Sequence, residues 1–212
     1  MKQTRTKSRT GYMGKIMMVD LSTGQIDIES VPHTVYEHFL SGMGLAAHIL
    51  YHRIPEHADP LGPDNVLGFV SGLLTGTGSL FTGRWMVTGK SPLTGGWGEA
   101  NCGGSFSPAI KRCGVDGIFF KGISPKPVIL YVDDTTAELR DAGYLWGHDA
   151  VETEERLLNS FKHKKARVAC IGQAGENLSL ISGVSTDKGR MAARSGLGAV
   201  MGSKKLKAVV LA

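Results

Sequence analysis

TGRWMVTGKSPLTGGWGEANCGGSF, which runs from Thr82 to Phe106, is the most informative stretch of this sequence. A second stretch of the same character, GRMAARSGLGAVMGSKK, runs from Gly189 to Lys205. Glycine lacks a Cβ, so repeated glycines let backbone amides come close to a ligand. Arginines placed among them can form paired hydrogen bonds to anionic oxygens. Together the two stretches predict a binding surface for a large, polar, phosphate-bearing cofactor.

The overall composition is that of an ordinary globular protein. The 212 residues are 42% hydrophobic and 20% charged. A chain of this length buries enough apolar surface to fold as one large domain or two small ones without disulfides or structural metals. Its 29 glycines are about twice the usual share. This excess of backbone freedom indicates a use beyond ordinary turns.

Basic residues are concentrated at the start of the chain. The net charge is +5, and residues 1–10 hold four of the positive charges: Lys2, Arg5, Lys7 and Arg9. Residues 1–10 show no hydrophobic periodicity, so we expect a disordered basic tail or a cloning remnant, followed by one folded domain at residues 11–212. The remainder is close to neutral, which argues against a general nucleic-acid binder.

The sequence has no pattern of a membrane anchor or a secretory signal. No run approaches the roughly 18 apolar residues that a membrane span needs. The N-terminal segment also lacks the apolar centre of a signal peptide. We therefore expect a cytoplasmic protein.

The metal-ligating residue types show no ligand spacing. The three cysteines, Cys102, Cys113 and Cys170, contain no C-x-x-C pair, so neither a disulfide framework nor a zinc site is indicated. A [4Fe-4S] cluster is normally held by four thiolates, which this chain cannot supply. Seven histidines are scattered along the sequence, and none is assigned to a metal.

Alternating and apolar runs predict a sheet-rich α+β fold. Predicted strands outnumber helices and do not alternate regularly with them, which favours mixed β-sheets with a few short helices over a doubly wound fold. The predicted strands span residues 15–20, 25–30, 66–71, 84–90, 117–121, 128–132, 137–140, 167–171 and 206–211, and the predicted helices span 34–40, 45–51, 109–113 and 150–161.

Local signals give three more detailed predictions. Asp149 followed three residues later by Glu152 resembles a capping box, with Val151 on the apolar side of the helix that follows. Ser107 is the predicted N-cap of the short helix before Gly114. Residues 101–104, NCGG, are predicted to form a tight polar turn.

Six segments, all in the same order, resemble the N-terminal domain of the tungsten-containing aldehyde:ferredoxin oxidoreductases. They are DPLGPDNVLGF (59–69), LLTGTG (73–78), TGKSPLTGG (88–96), NCGGSF (101–106), ACIGQAGENL (169–178) and RSGLGAVMGSKKLKAVV (194–210). A single glycine-rich piece is weak evidence because such loops occur in many folds, but six in one order are specific. The resemblance covers about Gly11 to Ala212. It implies a pseudo-duplicated, sheet-rich domain that forms the floor under a tungsten bis-pterin cofactor of the molybdopterin type.

The resemblance also implies which residues hold that cofactor: Arg84, Asn101, Gly103, Arg190 and Met191. Arg84 then lies between the pterin and an iron–sulfur cluster and donates hydrogen bonds to both. Asn101 and Gly103 contact the pterin and its phosphate. The backbone carbonyls of Asn101 and Met191 hold a magnesium ion that bridges two phosphates, in keeping with the preference of magnesium for oxygen ligands.

In the complete enzyme, the resemblance implies oxidation of an aldehyde to a carboxylic acid at tungsten, or alternatively molybdenum. Electrons then leave through a [4Fe-4S] cluster to ferredoxin. The cluster ligands and the catalytic acid or base belong to C-terminal domains or a partner subunit, so no catalytic residue is assigned here. We expect this chain alone to be inactive. The sequence also allows the protein to form a homo-oligomer.

Two positions depart from the family pattern. Small residues usually stand at Met191, and an arginine is common at Met43. These departures suggest a divergent branch with another substrate class. Two alternatives stay open: a non-catalytic module that binds an anionic ligand or RNA, and the corresponding domain of a related aromatic thioester reductase. The absence of interleaved aromatic residues weighs against nucleic acid.

The remaining charged residues near the glycine loops receive structural interpretations. A solvated basic face is predicted for Lys204, Lys205 and Lys207. Loop capping, rather than proton transfer, is predicted for Glu99, Glu176 and Asp187.

Overall fold

The computed structural model of the chain describes residues 11–161 and 165–212. In these residues, twelve strands form two mixed sheets of six. The first sheet contains β1 (Lys15–Asp20), β2 (Ile26–Ser30), β3 (Leu67–Ser71), β4 (Trp85–Lys90), β5 (Trp97–Cys102) and β6 (Gly117–Lys121). The second contains β7 (Val128–Val132), β8 (Ala137–Asp141), β9 (Arg167–Cys170), β10 (Val184–Thr186), β11 (Arg190–Ala192) and β12 (Leu206–Leu211). The predicted tail at 1–10 lies outside the described residues.

Six α-helices and one 3₁₀ helix connect the described strands. They are α1 (His33–Phe39), α2 (Met43–Arg53), α3 (Phe106–Arg112), the 3₁₀ turn Gly143–Leu145, α4 (Ala150–Phe161), α5 (Gln173–Glu176) and α6 (Leu197–Ser203). The predicted α+β fold with mixed sheets and a few short helices is confirmed.

The two sheets repeat one topology. The first has the order β2-β1-β6-β3-β4-β5, and the second, read from its opposite edge, has the order β8-β7-β12-β9-β10-β11. Adding six to each strand number converts one sheet into the other. The parallel pair β1/β6 matches the parallel pair β7/β12, and the other neighbours are antiparallel in both sheets. The pseudo-duplication implied by the family resemblance is therefore present.

The main hydrophobic core lies between the two sheets. Side chains of both sheets pack there with α3 and α6, which occupy equivalent positions in the two repeats. Helices α1 and α2 cover the outer face of the first sheet, and α4 covers that of the second. Strands β3, β7 and β12 are consequently buried along their whole length, which explains why apolar residues predominate in them.

Helix α4 begins and ends as predicted, but its buried face differs. The Glu152 backbone N–H donates to Asp149 Oδ1 at 2.9 Å, as in a capping box. The Glu152 carboxylate instead binds His148 and Arg156, so the reciprocal half of the box is missing. Val151 is exposed. The apolar stripe is therefore narrower than predicted.

Predicted features near the glycine loops need two corrections. Residues 97–102 form β5, so the predicted turn at 101–104 begins only after Cys102. Ser107 is not an N-cap: it lies inside α3, and its hydroxyl donates to the Arg84 carbonyl at 2.9 Å. Neither short strand β11 nor helix α6 was anticipated within the second stretch.

The predicted solvated face of Lys204, Lys205 and Lys207 is wrong for two of its members. Lys204 and Lys207 are fully buried. The ammonium group of Lys207 forms an ion pair with Glu176, which is also buried, and donates to the His148 carbonyl at 2.9 Å. The long apolar stems are buried, and the charged ends reach polar partners; the Lys204 ammonium group donates to the Gly122 carbonyl at 3.1 Å.

Candidate functional site

The two repeats meet where an edge strand of each sheet comes close to the other. Strand β5 ends the first sheet, β11 ends the second, and the two strands pack side by side. The Ser91 hydroxyl donates to the Ser195 carbonyl at 2.9 Å, and the Ser195 hydroxyl donates to the Glu99 carbonyl at 3.2 Å. This junction brings the two glycine-rich stretches together.

Arg84 and Asn101 are joined directly. Arg84 precedes β4, and Asn101 lies near the end of the neighbouring strand β5. Arg84 Nε donates to Asn101 Oδ1 at 3.0 Å, and Nη2 donates to the same oxygen. The Asn101 side chain thereby fixes the plane of the guanidinium group, which faces solvent.

Arg190 approaches the same place from the second repeat. A Cβ added to Gly103 would lie 3.9 Å from Nη1 of both Arg84 and Arg190. The two guanidinium groups therefore flank the bare backbone of Gly103. A side chain there would fill the space between two cations, which is the space that an anionic ligand needs.

A cleft of about 350 Å³ opens beside these residues. It is lined by Arg84, Ala100, Asn101, Met191, Ala193 and Arg194. This volume is at the lower end for a small-molecule site, so the cleft can hold part of a large cofactor rather than enclose it. The cleft can therefore form the floor of a larger binding site.

The charges of this cleft suit an anionic group. Among residues 11–161 and 165–212, Arg84, Arg190 and Arg194 form no ion pair with a carboxylate. Exposed guanidinium groups at a glycine-rich surface are well suited to phosphate oxygens, which they can bind in a bidentate manner. The donor set therefore fits a phosphate-bearing cofactor.

Met191 lies at this cleft with its side chain 46% exposed. It pairs with Ser185 of β10, so its backbone position is fixed by the sheet. All five residues predicted to bind the cofactor are thus gathered at one junction. Arg194 completes the lining.

Cys102 is adjacent to the site but faces the core. Its side chain is buried, and its thiol lies 3.2 Å from the Gly103 carbonyl. Burial raises the pKa of the thiol above its ordinary value, although the nearby cations Arg190 and Arg84 oppose the shift. A protonated, buried thiol is a packing group.

A larger cavity of about 860 Å³ lies between α2 and the β4–β5 hairpin, on the same face of the first sheet as the cleft. Its walls include Leu50, Tyr51, Ile54 and Trp97. These walls are mainly apolar and aromatic. The smaller cleft fits an anionic cofactor better because it holds the arginines.

Comparison with known proteins agrees with this geometry. Residues 16–212 match the family model described as aldehyde ferredoxin oxidoreductase, N-terminal domain. The chain belongs to the aldehyde ferredoxin oxidoreductase family. It corresponds to the N-terminal domain of that family, and the resemblance inferred from the six segments is confirmed.

Relatives of the family give the same placement. The tungsten-containing aldehyde ferredoxin oxidoreductase of Thermococcus kodakarensis is 42% identical over 201 residues, which is 95% of this chain and 33% of the relative. The corresponding Pyrococcus furiosus protein is 41% identical over 201 residues, with the same coverage. The WOR-like subunit of an aliphatic sulfonate oxidoreductase from P. furiosus is 32% identical over 215 residues, covering 94% of this chain and 34% of the relative. The chain thus spans about a third of the length of these relatives.

A solved structure shares the fold of this family member. The active site complex BamBC of benzoyl coenzyme A reductase, in complex with 1,5-dienoyl-CoA, superposes with a TM-score of 0.93 at 38% identity. The match covers 95% of this chain and 31% of the other. The fold of this chain is therefore shared with about a third of that chain.

Among the helices that the structure describes, none has both the length and the apolarity needed to cross a bilayer. The part of the chain at 11–161 and 165–212 also contains no cluster of three or more His, Cys, Asp or Glu residues arranged to hold a metal ion.

Proposed function

We propose that this domain forms the floor of a tungsten bis-pterin site in a cytoplasmic oxidoreductase of the aldehyde ferredoxin type. The observation that carries the proposal is the approach of Arg84 and Arg190 to the bare backbone of Gly103 from two different repeats. These guanidinium groups bind cofactor phosphate, and Asn101 orients Arg84. The names of the relatives, tungsten-containing enzymes, support this choice of metal.

Backbone oxygens give the floor a second kind of contact. Asn101 and Met191 both line the cleft, and their carbonyls would hold a magnesium ion that neutralises charge on the cofactor phosphates. Arg84 Nη2 also lies 3.5 Å from the Asn101 carbonyl, so this oxygen sits beside a positive charge and serves an ion only when phosphate is present to balance it.

When bound, the cofactor supplies the two-electron chemistry that converts an aldehyde to a carboxylic acid, with ferredoxin as the electron acceptor. This chain's own residues bind and orient the phosphates and pterin. The [4Fe-4S] ligands and the acid or base that faces the metal lie in the other domains or in a partner subunit. The isolated domain is therefore inactive.

A second candidate is the corresponding domain of an aromatic thioester reductase. It is favoured by the match to the benzoyl coenzyme A reductase complex. Both candidates assign the same role to this floor, and the substrate is selected elsewhere in the protein. A third reading, an RNA-binding module, has less support because the site offers cations without a stacking platform.

The test uses the 212-residue chain with magnesium pyrophosphate as a probe for the cofactor phosphates. We expect calorimetry to detect binding of the probe, and no binding of single-stranded RNA of mixed sequence. Saturating aldehyde with an artificial electron acceptor should give no turnover. Binding of RNA without pyrophosphate, or robust turnover by this chain, would contradict the proposal.

A further inference from the structure

Asp187 joins the two repeats at the rim of the cofactor cleft. Its Oδ2 accepts the backbone N–H of Ser105 at 2.7 Å, and its carboxylate also accepts the Ser105 hydroxyl. Ser105 immediately precedes α3 of the first repeat, whereas Asp187 follows β10 of the second. One carboxylate thus satisfies two donors across the junction.

The turn that contains Asp187 is strained. Asp187, Lys188 and Gly189 have φ values of 48°, 59° and 107°, so three consecutive residues lie in a region that side chains disfavour. Arg190 follows directly. Strain of this kind persists only where surrounding contacts impose it, and it concentrates at functional sites. The Ser105 contact is one such restraint, and the Lys188 N–H bond to Glu154 Oε2, at 2.8 Å, is another.

The two glycines after Cys102 connect this turn to the guanidinium groups. A Cβ on Gly104 would overlap the Asp187 carboxylate and lie 3.2 Å from Arg190 Cδ. A Cβ on Gly103 would stand between Arg84 and Arg190. The position of Arg190 relative to Arg84 therefore depends on how closely the Asp187 turn is held against residues 103–105.

We propose that Asp187 is a positioning residue for the cofactor phosphates. By holding the Ser105 amide and hydroxyl, its carboxylate sets the gap between Arg84 and Arg190 so that both can bind one phosphate-bearing ligand. Asp187 itself does not touch the ligand, which its negative charge would repel. This inference rests on the proposed function of the cleft.

The first measurement is calorimetric binding of magnesium pyrophosphate to the 212-residue chain and its variants. Asp187→Ala removes both acceptors and is expected to weaken binding about tenfold, the scale of one charge-assisted contact. Asp187→Asn tolerates the left-handed backbone and keeps one carbonyl acceptor, so its loss should be about threefold, which is a partial rescue. Ser105→Ala keeps the amide donor and should resemble Asp187→Asn.

The second measurement, hydrogen exchange of the Ser105 amide, does not depend on the ligand. Protection is expected in the unmodified chain and is expected to fall in Asp187→Ala. If that variant does not fold, Asp187→Asn and Ser105→Ala carry the comparison. Glu154→Gln is the matched control because glutamine changes the charge beside the same turn but keeps a carbonyl acceptor for the Lys188 N–H, and the residue does not touch Ser105. It should bind the probe normally.

The outcomes separate this inference from the proposed function. No pyrophosphate binding by the unmodified chain would overturn both. Unchanged binding in Asp187→Ala, or an equal loss in Glu154→Gln, would overturn the positioning role and leave the proposed function standing. The graded loss with normal binding in Glu154→Gln supports the inference.

Discussion

The side chain of Asn101 holds the guanidinium group of Arg84 from the adjacent strand, with Arg84 Nε 3.0 Å from Asn101 Oδ1. The carboxamide oxygen accepts from Nε and Nη2 of the guanidinium group. The Nη1 donors, which lie beside Gly103, are left for a ligand. A side chain that would otherwise sample many rotamers is thus ordered before any anion arrives. Preorganisation of this kind lowers the entropic cost of binding.

This geometry predicts that Arg84→Lys fails to replace arginine. Lysine keeps the positive charge but loses the planar fork that Asn101 orients. We expect the affinity for magnesium pyrophosphate to fall about tenfold, as measured by calorimetry. Arg156→Lys on the exposed face of α4 is the control, and it should leave the affinity unchanged. Equal affinity in Arg84→Lys would show that charge alone suffices.

A second prediction concerns the turn after Cys102. Gly104 has φ +115°, and an added Cβ would overlap the Asp187 carboxylate. Gly104→Ala should therefore lower the free energy of unfolding by at least about 1 kcal/mol, because backbone strain and steric overlap act together. The control is Gly96→Ala, where the nearest contact of the new Cβ is the Thr94 hydroxyl at 4.0 Å. Urea denaturation of both variants measures the difference, and similar stabilities would refute the expected clash.

The family pattern singled out Arg84, Asn101 and Arg190 because they stand in glycine-rich motifs with a recognisable sequence. The structure brings these three residues together, and their binding of a cofactor stays a prediction. The link between Ser105 and Asp187 had no such signal, since hydrogen bonds between residues far apart in the chain depend on how the two sheets pack. Proximity of that kind follows from tertiary structure alone.

The failures along the chain have similar causes. Strand β11 has three residues and helix α6 seven, which is too short for periodicity to show. Lys204 and Lys207 read as a solvated run because charge normally indicates exposure. Lys204 instead lies buried between α6 and β12, and Lys207 lies buried within β12. The neighbouring sequence gives no sign of the polar partners that receive the two ammonium groups.

The buried pair of Lys207 and Glu176 supplies a third prediction. Glu176 is 4% exposed in its side chain, and its second carboxylate oxygen accepts the Gly147 amide at 2.8 Å. Lys207→Met would leave that carboxylate without its cation, so we expect a loss of about 3 kcal/mol in the free energy of unfolding. Lys126→Met, which breaks an exposed pair with Asp141, should cost less than about 1 kcal/mol.

A double variant of Lys207 and Glu176 tests whether the contact stabilises the protein as an ion pair or only through side-chain packing. Replacing Lys207 with Met and Glu176 with Leu together removes both charges. Because no buried charge then lacks a partner, the double variant should be more stable than Lys207→Met alone. Additive losses in urea denaturation would contradict the interpretation of this contact as an ion pair.

Lys204 gives a prediction about pH. Burial lowers its pKa to about 8, although Asp64 and Asp20 oppose the shift, and its ammonium group donates to the Gly122 carbonyl at 3.1 Å. In the unfolded chain, lysine titrates near pH 10.4. Between about pH 8 and 10.4 the unfolded state therefore holds a proton that the folded state has released. The contribution of this group to stability is lowest below pH 8 and rises through that window, by roughly 3 kcal/mol in total.

Lys204→Met tests this by removing the group that titrates. Its free energy of unfolding should exceed that of the unmodified chain at pH 7, because no buried ammonium must be desolvated, and the gap should close as the pH rises towards 9.5. Urea denaturation at several pH values in this interval measures the difference between the two chains, which cancels the titration of all shared groups. A constant difference from pH 7 to 9.5 would mean that Lys204 keeps an ordinary pKa despite its burial.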